Sequence, residues 1–196
     1  MARPKLIAII TARGGSKRLP GKNIKIISGK PLIAWTIAVA LEVKEINRVI
    51  VSTEDTTISG IARRCGAEVP FLRPPELAED NTPSIDVVLH TIKELGLNKD
   101  DYILLLQPTS PLRTSDDIKN TISIMHTHKP DAVVSTTEGT EKPNGALYLN
   151  RVRSLLESKS FYPTGKTMWY IMPIERSIDI DTKDDFDRAE HILDRR

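Results

Sequence analysis

The chain has one cysteine, Cys65. No internal disulfide can form, and a reducing compartment is the expected setting. Cys65 precedes Gly66 at the end of a helical stretch, which reads as a packed, inert thiol rather than a nucleophile. No apolar run approaches membrane-spanning length. The opening residues, Met1-Ala2-Arg3-Pro4-Lys5, lack the apolar core of a signal peptide, so a cytoplasmic protein is expected. Net charge is only +2, and nothing in the whole-chain balance points to nucleic acid or a membrane surface. Repeats, low-complexity tracts and linkers are also missing. At 196 residues the expectation is a single domain over 1–196, long enough to bury a sizeable core.

Another absence is local. No Asp or Glu occurs before Glu42, whereas eight Lys or Arg precede Pro31. Conversely, residues 175–194 carry eight acids. The basic segment centres on IITARGGSKRLPGKN, residues 9–23. An apolar run over 6–10 leads into it and reads as a buried strand. Two glycines, four basic residues and a Pro-Gly pair follow. Such a loop can wrap backbone N–H groups around phosphate oxygens while Arg and Lys supply charge. It is not a Walker A loop, because no Gly-Lys-Ser/Thr follows at the right spacing. It also lacks the third glycine of the dinucleotide fingerprint, which disfavours a nicotinamide-dependent oxidoreductase. A plain solvated turn would share this composition. If the loop is functional, Arg13, Lys17 and Lys22 are placed to neutralise charge on a phosphoryl group and its leaving group.

Along the chain, Pro31 opens a helix that is apolar on nearly every face. A strand over 48–53 ends in Ser52-Thr53-Glu54-Asp55, a helix start, and that helix stops at Gly66. A short strand is expected over 68–72. The prolines of 73–77 dictate a loop. Thr82 is expected to cap the next helix, with Pro83 as its first residue. A strand over 102–106 runs into a turn at 107–113, and a helix follows over 115–128. Further strands are expected over 131–135, 145–150 and 169–172, with a polar turn at 136–142 and a short helix over 154–158. Residues 177–182 alternate, read as a strand, and put Asp179 and Asp181 on one face. Thr182 caps a final amphipathic helix.

Strands and helices alternating in this way argue for a three-layer α/β/α fold around a mainly parallel, mixed sheet. Ligands of such sheets sit at strand carboxyl ends. The basic loop, the Ser-Thr-Glu-Asp turn and the Gln-Pro-Thr-Ser-Pro turn all fall there and should converge. The Asp179/Asp181 pair could share one or two hard cations, and oxygen ligands of this kind suit magnesium bridged to substrate phosphates. Alone the pair is a weak signal, since a solvated face shows the same pattern. Beside a basic phosphate loop it suggests nucleotidyl transfer.

Six segments, IITARGGSKRLPGKN, RVIVSTED, FLRPPELAEDNTPS, LLLQPTSPLRT, PNGALYLN and SIDIDT, resemble the acylneuraminate cytidylyltransferases (CMP-sialic acid synthetases) in order and nearly end to end. The resemblance implies a nucleotidyltransferase, Rossmann-like fold. It implies transfer of CMP from CTP to the anomeric hydroxyl of a nine-carbon α-keto acid sugar, with pyrophosphate leaving and Mg2+ as cofactor. Arg13, Lys17, Lys22 and Asn23 would hold the triphosphate, and the backbone at Ala12 and Ser84 would read the cytosine edge. Gln107 would lie near ribose and sugar. Asp179 and Asp181 would bind magnesium, with Asp181 also helping to deprotonate the attacking hydroxyl. Asn144, Tyr148, Phe161 and Tyr162 would line the sugar pocket. Legionaminic, pseudaminic and eight-carbon Kdo acids are alternative acceptors, and a nucleotide-binding relative without catalysis is an alternative of another class. The chain departs from the family between 137 and 142, where a long segment that reaches a second subunit is reduced to a few residues. It also has Lys142 where the family has arginine, which loses a planar bidentate grip on a carboxylate. The usual homodimer and the sugar's identity are therefore the open parts of the implied function.

Overall fold

The computed structural model describes residues 4–140 and 142–195. In chain order the elements are β1 (Leu6–Thr11), β2 (Ile26–Ile27), β3 (Lys30–Pro31), α1 (Leu32–Leu41), β4 (Arg48–Ser52), α2 (Thr56–Arg64), α3 (Ser84–Leu95), β5 (Tyr102–Leu106), α4 (Ser115–His128), β6 (Ala132–Thr137), β7 (Pro143–Arg151), α5 (Val152–Ser158), β8 (Thr167–Met172) and α6 (Lys183–Leu193). Short 3-10 turns occupy Lys22–Ile24, Pro75–Ala78 and Ile174–Arg176.

Six strands form one sheet in the order β4-β1-β5-β7-β6-β8. β1 runs parallel to β4 and β5, β6 runs parallel to β8, and β7 alone is antiparallel to its neighbours β5 and β6. The expected mainly parallel mixed sheet is therefore present. Its strands are apolar on both faces because helices cover both. Ala8, Ile10, Leu104 and Leu106 pack with Ile33 and Ile37 of α1, Ile58 of α2 and Ile118 of α4. The alternate residues Ile7, Ile9, Ile103 and Leu105 pack with Val88 and Ile92 of α3 and Leu155 of α5. A third cluster joins Leu19, Ile27, Leu32 and Leu112 to Phe186 and Leu193 of α6. It fastens the C-terminal helix beside the loop that follows β1.

Several expected elements differ in detail. Only Glu68 of the 68–72 stretch pairs with β4, exchanging bonds with Val49 and Val51. Pro70 has no N–H to continue a ladder, and the chain turns away. Thr82 does not cap α3. Its hydroxyl donates to the Glu76 carbonyl at 3.2 Å, and Pro83 is the cap residue, with no side-chain cap bond. Pro31 likewise precedes α1 instead of starting it, because it pairs with Ile26 in a small hairpin that the sequence reading missed. Residues 177–181 are not a strand. Their alternation is real, but Ile178 and Ile180 serve the α6 cluster, and the one ladder-like bond runs from Ile180 N–H to the Thr109 carbonyl at 2.8 Å. β6 extends through Thr137 and β7 begins at Pro143. The polar turn is thus confined to 138–142, of which Glu141 lies outside the described residues.

Among the described residues two helices open on capping boxes, Thr114 with Asp117 on α4 and Thr182 with Asp185 on α6. Asp117 is buried and also accepts a fork of bonds from Arg176 and one from the Tyr170 hydroxyl. Burial alone would raise its carboxyl; the bonds from Arg176, the Thr114 N–H and Tyr170 outweigh that and hold it below the ordinary carboxylate value. A depressed native pKa contributes stability above the unfolded-state pKa and loses it as pH falls through the native one. Asp117→Asn is therefore expected to cost roughly 1–3 kcal/mol at neutral pH. The gap from wild type should stay constant above about pH 5 and narrow below about pH 4, where unfolded aspartate protonates. Urea unfolding from pH 3 to 7 checks this; a pH-independent gap would assign the loss to the cap alone.

Candidate active site

The carboxyl ends of β1 and β5 open onto a cleft of about 650 Å³. Arg13, Lys17, Arg18, Lys22 and Asn23 come to it from the basic loop, Arg73, Asp80 and Ser84 from the β4–α3 connection, Gln107 and Thr109 from the turn after β5, and Asp179 and Asp181 from the chain leading to α6. Five cations and four carboxylates, Glu79 among them, thus share one concavity. The sequence halves of opposite sign meet here.

Local chemistry explains the loop's shape. A Cβ on Gly14 would lie 2.5 Å from Asp55 Oδ2, so a side chain here would have to push the carboxylate that caps α2 aside. The Gly14 N–H donates to Glu54 at 2.8 Å, and Glu54 also accepts from Arg73 at 2.7 Å. Asp55 meanwhile caps α2 by accepting from the Ile58 N–H. The Ser-Thr-Glu-Asp turn therefore converges as expected, yet as a buttress behind the cleft, since neither acid lines it. Asn23 is buried and donates from its side chain to the Arg13 carbonyl at 2.9 Å, fixing the first cationic residue.

The loop's cations already have anionic partners. Arg13 meets Asp80 at 3.0 Å, and Lys17 contacts the same carboxylate. These partners, Lys17 foremost, lower the Asp80 carboxyl. Arg18 meets Asp181 at 2.8 Å. Lys22, mostly buried, donates to the Ile180 carbonyl at 2.7 Å and to Asp181 at 3.3 Å. Asp80 and Asp181 thus stand where these cations could otherwise meet a polyanion.

Although Asp179 as a residue is exposed, the protein packed around its carboxyl desolvates it and, with the Asp181 charge, pushes it above the ordinary carboxylate value, while a bond with Thr109 and the Lys22 charge act against this. Beside it the β6–β7 ladder has an irregularity between Val134 and Thr136. Gly145 takes a φ of 83° there, and a Cβ would lie 2.9 Å from Gln107 Oε1 and 3.4 Å from Asp179 Oδ2. The bulge brings bare backbone against two site residues. Beneath the turn, the fully buried Arg113 donates to the Gln107 and Ala146 carbonyls and to the Thr36 hydroxyl, at 3.2, 2.5 and 2.8 Å. Desolvation brings its pKa down to about 9 despite the nearby Asp117 charge.

The other expected residues fall outside the lining. Ala12 is buried, and its N–H is engaged by the Ser52 carbonyl. Asn144 accepts from the Ser135 hydroxyl and the Ala146 N–H and donates to the Ser177 hydroxyl and Met172 Sδ. Its amide is fully occupied in joining β6, β7 and the 177 segment. Tyr148 and Phe161 pack at 5.2 Å between ring centres. Burial, then the Tyr162 and Asp179 charges, push the Tyr148 phenol up to about 12. Tyr148 therefore feels the Asp179 charge, and neither ring lines the cleft. Arg18, Arg73, Asp80 and Arg113 went unnamed in the sequence reading. Arg18 shared the basic run; Arg73, Asp80 and Arg113 are joined to Glu54, Arg13 and Thr36, at separations that carry no sequence signal.

A mixed α/β sheet whose strand ends hold a cation-lined, carboxylate-flanked cleft is built to take a phosphorylated ligand. The cytidylyltransferase sequence profile matches residues 7–173. The chain is 33% identical to the CMP-N,N'-diacetyllegionaminic acid synthase of Legionella pneumophila, covering 97% of each chain. It is 34% identical to the N-acylneuraminate cytidylyltransferase of Escherichia coli O18:K1:H7, covering 95% of this chain but 52% of that one. It therefore spans about half the length of that relative. Among solved structures, CMP:2-keto-3-deoxy-manno-octonic acid synthetase complexed with CTP superposes with a TM-score of 0.75 at 17% identity, over 97% of this chain and 99% of that one. At that identity the likeness concerns the fold. The chain belongs to the cytidylyltransferase family, and it is a nucleotidyltransferase enzyme.

Gly145→Ala tests the bulge. A left-handed residue with a Cβ costs about 1–2 kcal/mol, and the methyl must displace Gln107, which it would meet at 2.9 Å, while it only touches Asp179. The melting temperature should fall by about 3–6 °C and turnover by at least about tenfold. A loss of stability with full turnover would show that Gln107 tolerates displacement.

Proposed function

We propose that this enzyme moves CMP from CTP to the anomeric hydroxyl of a nine-carbon α-keto acid sugar of the sialic or legionaminic type. The observation that carries the reading is the meeting of Arg13, Lys17 and Lys22 with Asp179 and Asp181 in one cleft. The relatives from Legionella pneumophila and Escherichia coli are named for legionaminic and N-acylneuraminic acids, which supports the acceptor. In the reaction the anomeric oxygen attacks the α-phosphorus, the α–β anhydride bond breaks, and pyrophosphate leaves. The hydroxyl proton passes to a carboxylate, for which Asp181 is the assigned base.

Arg13 and Lys17 would exchange Asp80 for the triphosphate, and Lys22 would stay between Asp181 and the α-phosphate. The amino end of α3, which no side chain caps, would face the nucleotide at Ser84 with its positive dipole end. Gln107 would orient ribose and sugar. Tyr148, Phe161 and Tyr162 would pack on the sugar's acyl groups. Asn144 would act through the backbone it ties down, since its own bonds are filled. Among the described residues no three His, Cys, Asp or Glu side chains gather into a metal cage. Two mutually repelling carboxylates at a phosphate site nevertheless fit magnesium, which takes one or two carboxylates and completes its shell with substrate phosphates and waters. Asp179 and Asp181 would hold the ion, which when bound neutralises phosphate charge. The same reading puts the enzyme in the cytoplasm, in keeping with its single thiol. Among the described residues no helix is long and apolar enough to cross a membrane.

Pyrophosphate release from CTP and Mg2+ should occur with a sialic, legionaminic or pseudaminic acid and not with CTP alone. CTP binding without release from any of these or Kdo would instead favour a non-catalytic relative. Asp181→Ala should lower turnover by at least about 100-fold yet keep or tighten CTP binding, because Arg18 and Lys22 lose their internal partner. Arg13→Ala should weaken CTP binding and slow transfer together, by about tenfold or more. Turnover of Asp181→Ala at saturating magnesium equal to wild type would remove that residue from the chemistry.

A further inference from the structure

We propose that Arg176 is a positioning residue, and that its clamp on Asp117 sets where the Asp179–Asp181 carboxylates stand. The inference rests on the metal-holding role just assigned to that pair. Residues 177–181 have no regular structure and do not belong to the sheet. Two exposed or half-exposed carboxylates on an irregular segment would not keep a fixed spacing by themselves. The segment is instead held along its length: Asn144 donates to the Ser177 hydroxyl, Lys22 donates to the Ile180 carbonyl, and three further anchors act on it. Downstream, the α6 capping box holds it, and Asp185 also accepts the Asp181 N–H at 3.2 Å. In the middle, Ile180 N–H donates to the Thr109 carbonyl at 2.8 Å. Upstream, Arg176 forks onto Asp117, Nη2 to Oδ1 at 2.8 Å and Nε to Oδ2 at 3.1 Å.

The upstream anchor is the firmest side-chain contact of the three. Asp117 is 1% exposed and accepts in addition from the Tyr170 hydroxyl at 2.8 Å and the Thr114 N–H at 2.9 Å. A carboxylate this saturated leaves little freedom to the guanidinium that joins it. Asp117 lies in the first turn of α4, directly after the turn that carries Gln107 and Thr109. The clamp thus joins the two cleft walls that hold Gln107 on one side and the acid pair on the other. Arg176 itself does not line the cleft, so it acts through the segment.

Hydrogen exchange and Mn2+ binding test this on the intact chain. In Arg176→Ala, and more mildly in Tyr170→Phe, exchange of the Ile180 amide should speed up at least about tenfold, while the α6 cap amide of Asp185 keeps its protection. Mn2+ bound in the presence of CTP, read by electron paramagnetic resonance, should weaken about tenfold, with metal-free CTP affinity unchanged within about twofold. Guanidinium at millimolar concentration should restore much of the Mn2+ binding to Arg176→Ala, and Arg176→Lys should recover little, since lysine cannot fork. A purely structural role would lower the melting temperature without this pattern. Unchanged Ile180 exchange in a folded Arg176→Ala overturns the clamp. Changed exchange, with Mn2+ binding untouched by Arg176→Ala and by Asp181→Ala alike, would keep the mechanical anchor but overturn both the metal role and the positioning inference drawn from it.

Discussion

The confrontation between the basic loop after β1 and the acids before α6 governs the rest of the site. Folding places Lys22 against Asp181 and the Ile180 carbonyl across most of the chain's length. Lys22 is largely withdrawn from water, so its charge needs those partners. In turn the α6 cluster, with Leu19 and Ile27 on one side and Phe186 and Leu193 on the other, supplies the apolar contact that brings the two together. The core thereby sets the electrostatics of the cleft.

A second layer holds this arrangement from behind. Glu54 ties the Gly14 backbone to Arg73, Arg113 ties Gln107 to β7 and α1, and Asp117 ties α4 to Arg176. Each is a charged group wholly or largely withdrawn from water beside the cleft and held by several bonds. Such groups cost desolvation, and their bonds offset it only in one geometry. That dependence on geometry suits a site which must place several charges within hydrogen-bond distance of one substrate. The cleft also keeps its own anions, Asp80 and Asp181, on the loop's cations. Like charges of the loop can therefore stand together before any polyphosphate arrives.

Legibility in the sequence followed the range of the interactions. Strands β1, β4 and β5 were readable because burial on both faces makes them continuous apolar runs. Thr182 was readable as a cap because its partner Asp185 lies three residues on. The Thr82 reading failed because the competing acceptor, the Glu76 carbonyl, depends on how two prolines fold the preceding turn. The 177–182 alternation misled because a period of two is served equally by a sheet and by a local apolar cluster. In the site, the residue types of Arg13, Lys17, Lys22, Asp179 and Asp181 carried enough chemistry to be named in advance. Asn144 was named from the resemblance as a residue of the sugar pocket; that its amide bonds Ser135, Ala146, Ser177 and Met172 was not legible in any local pattern.

By itself the sequence determined the layer order, the strand-end position of the phosphate-suited loop and the segregation of basic and acidic segments. These depend on neighbours in the chain: apolar periodicity, glycine and proline, and charge composition. Tertiary structure alone decided that β7 enters antiparallel with its bulge against Gln107 and Asp179, and that Asp80 pairs with Arg13 and Lys17. It also decided that Arg176 grips Asp117. Each of those contacts joins residues whose separation in sequence carries no periodic signal. Only packing of the sheet and helices brings them within a few ångströms.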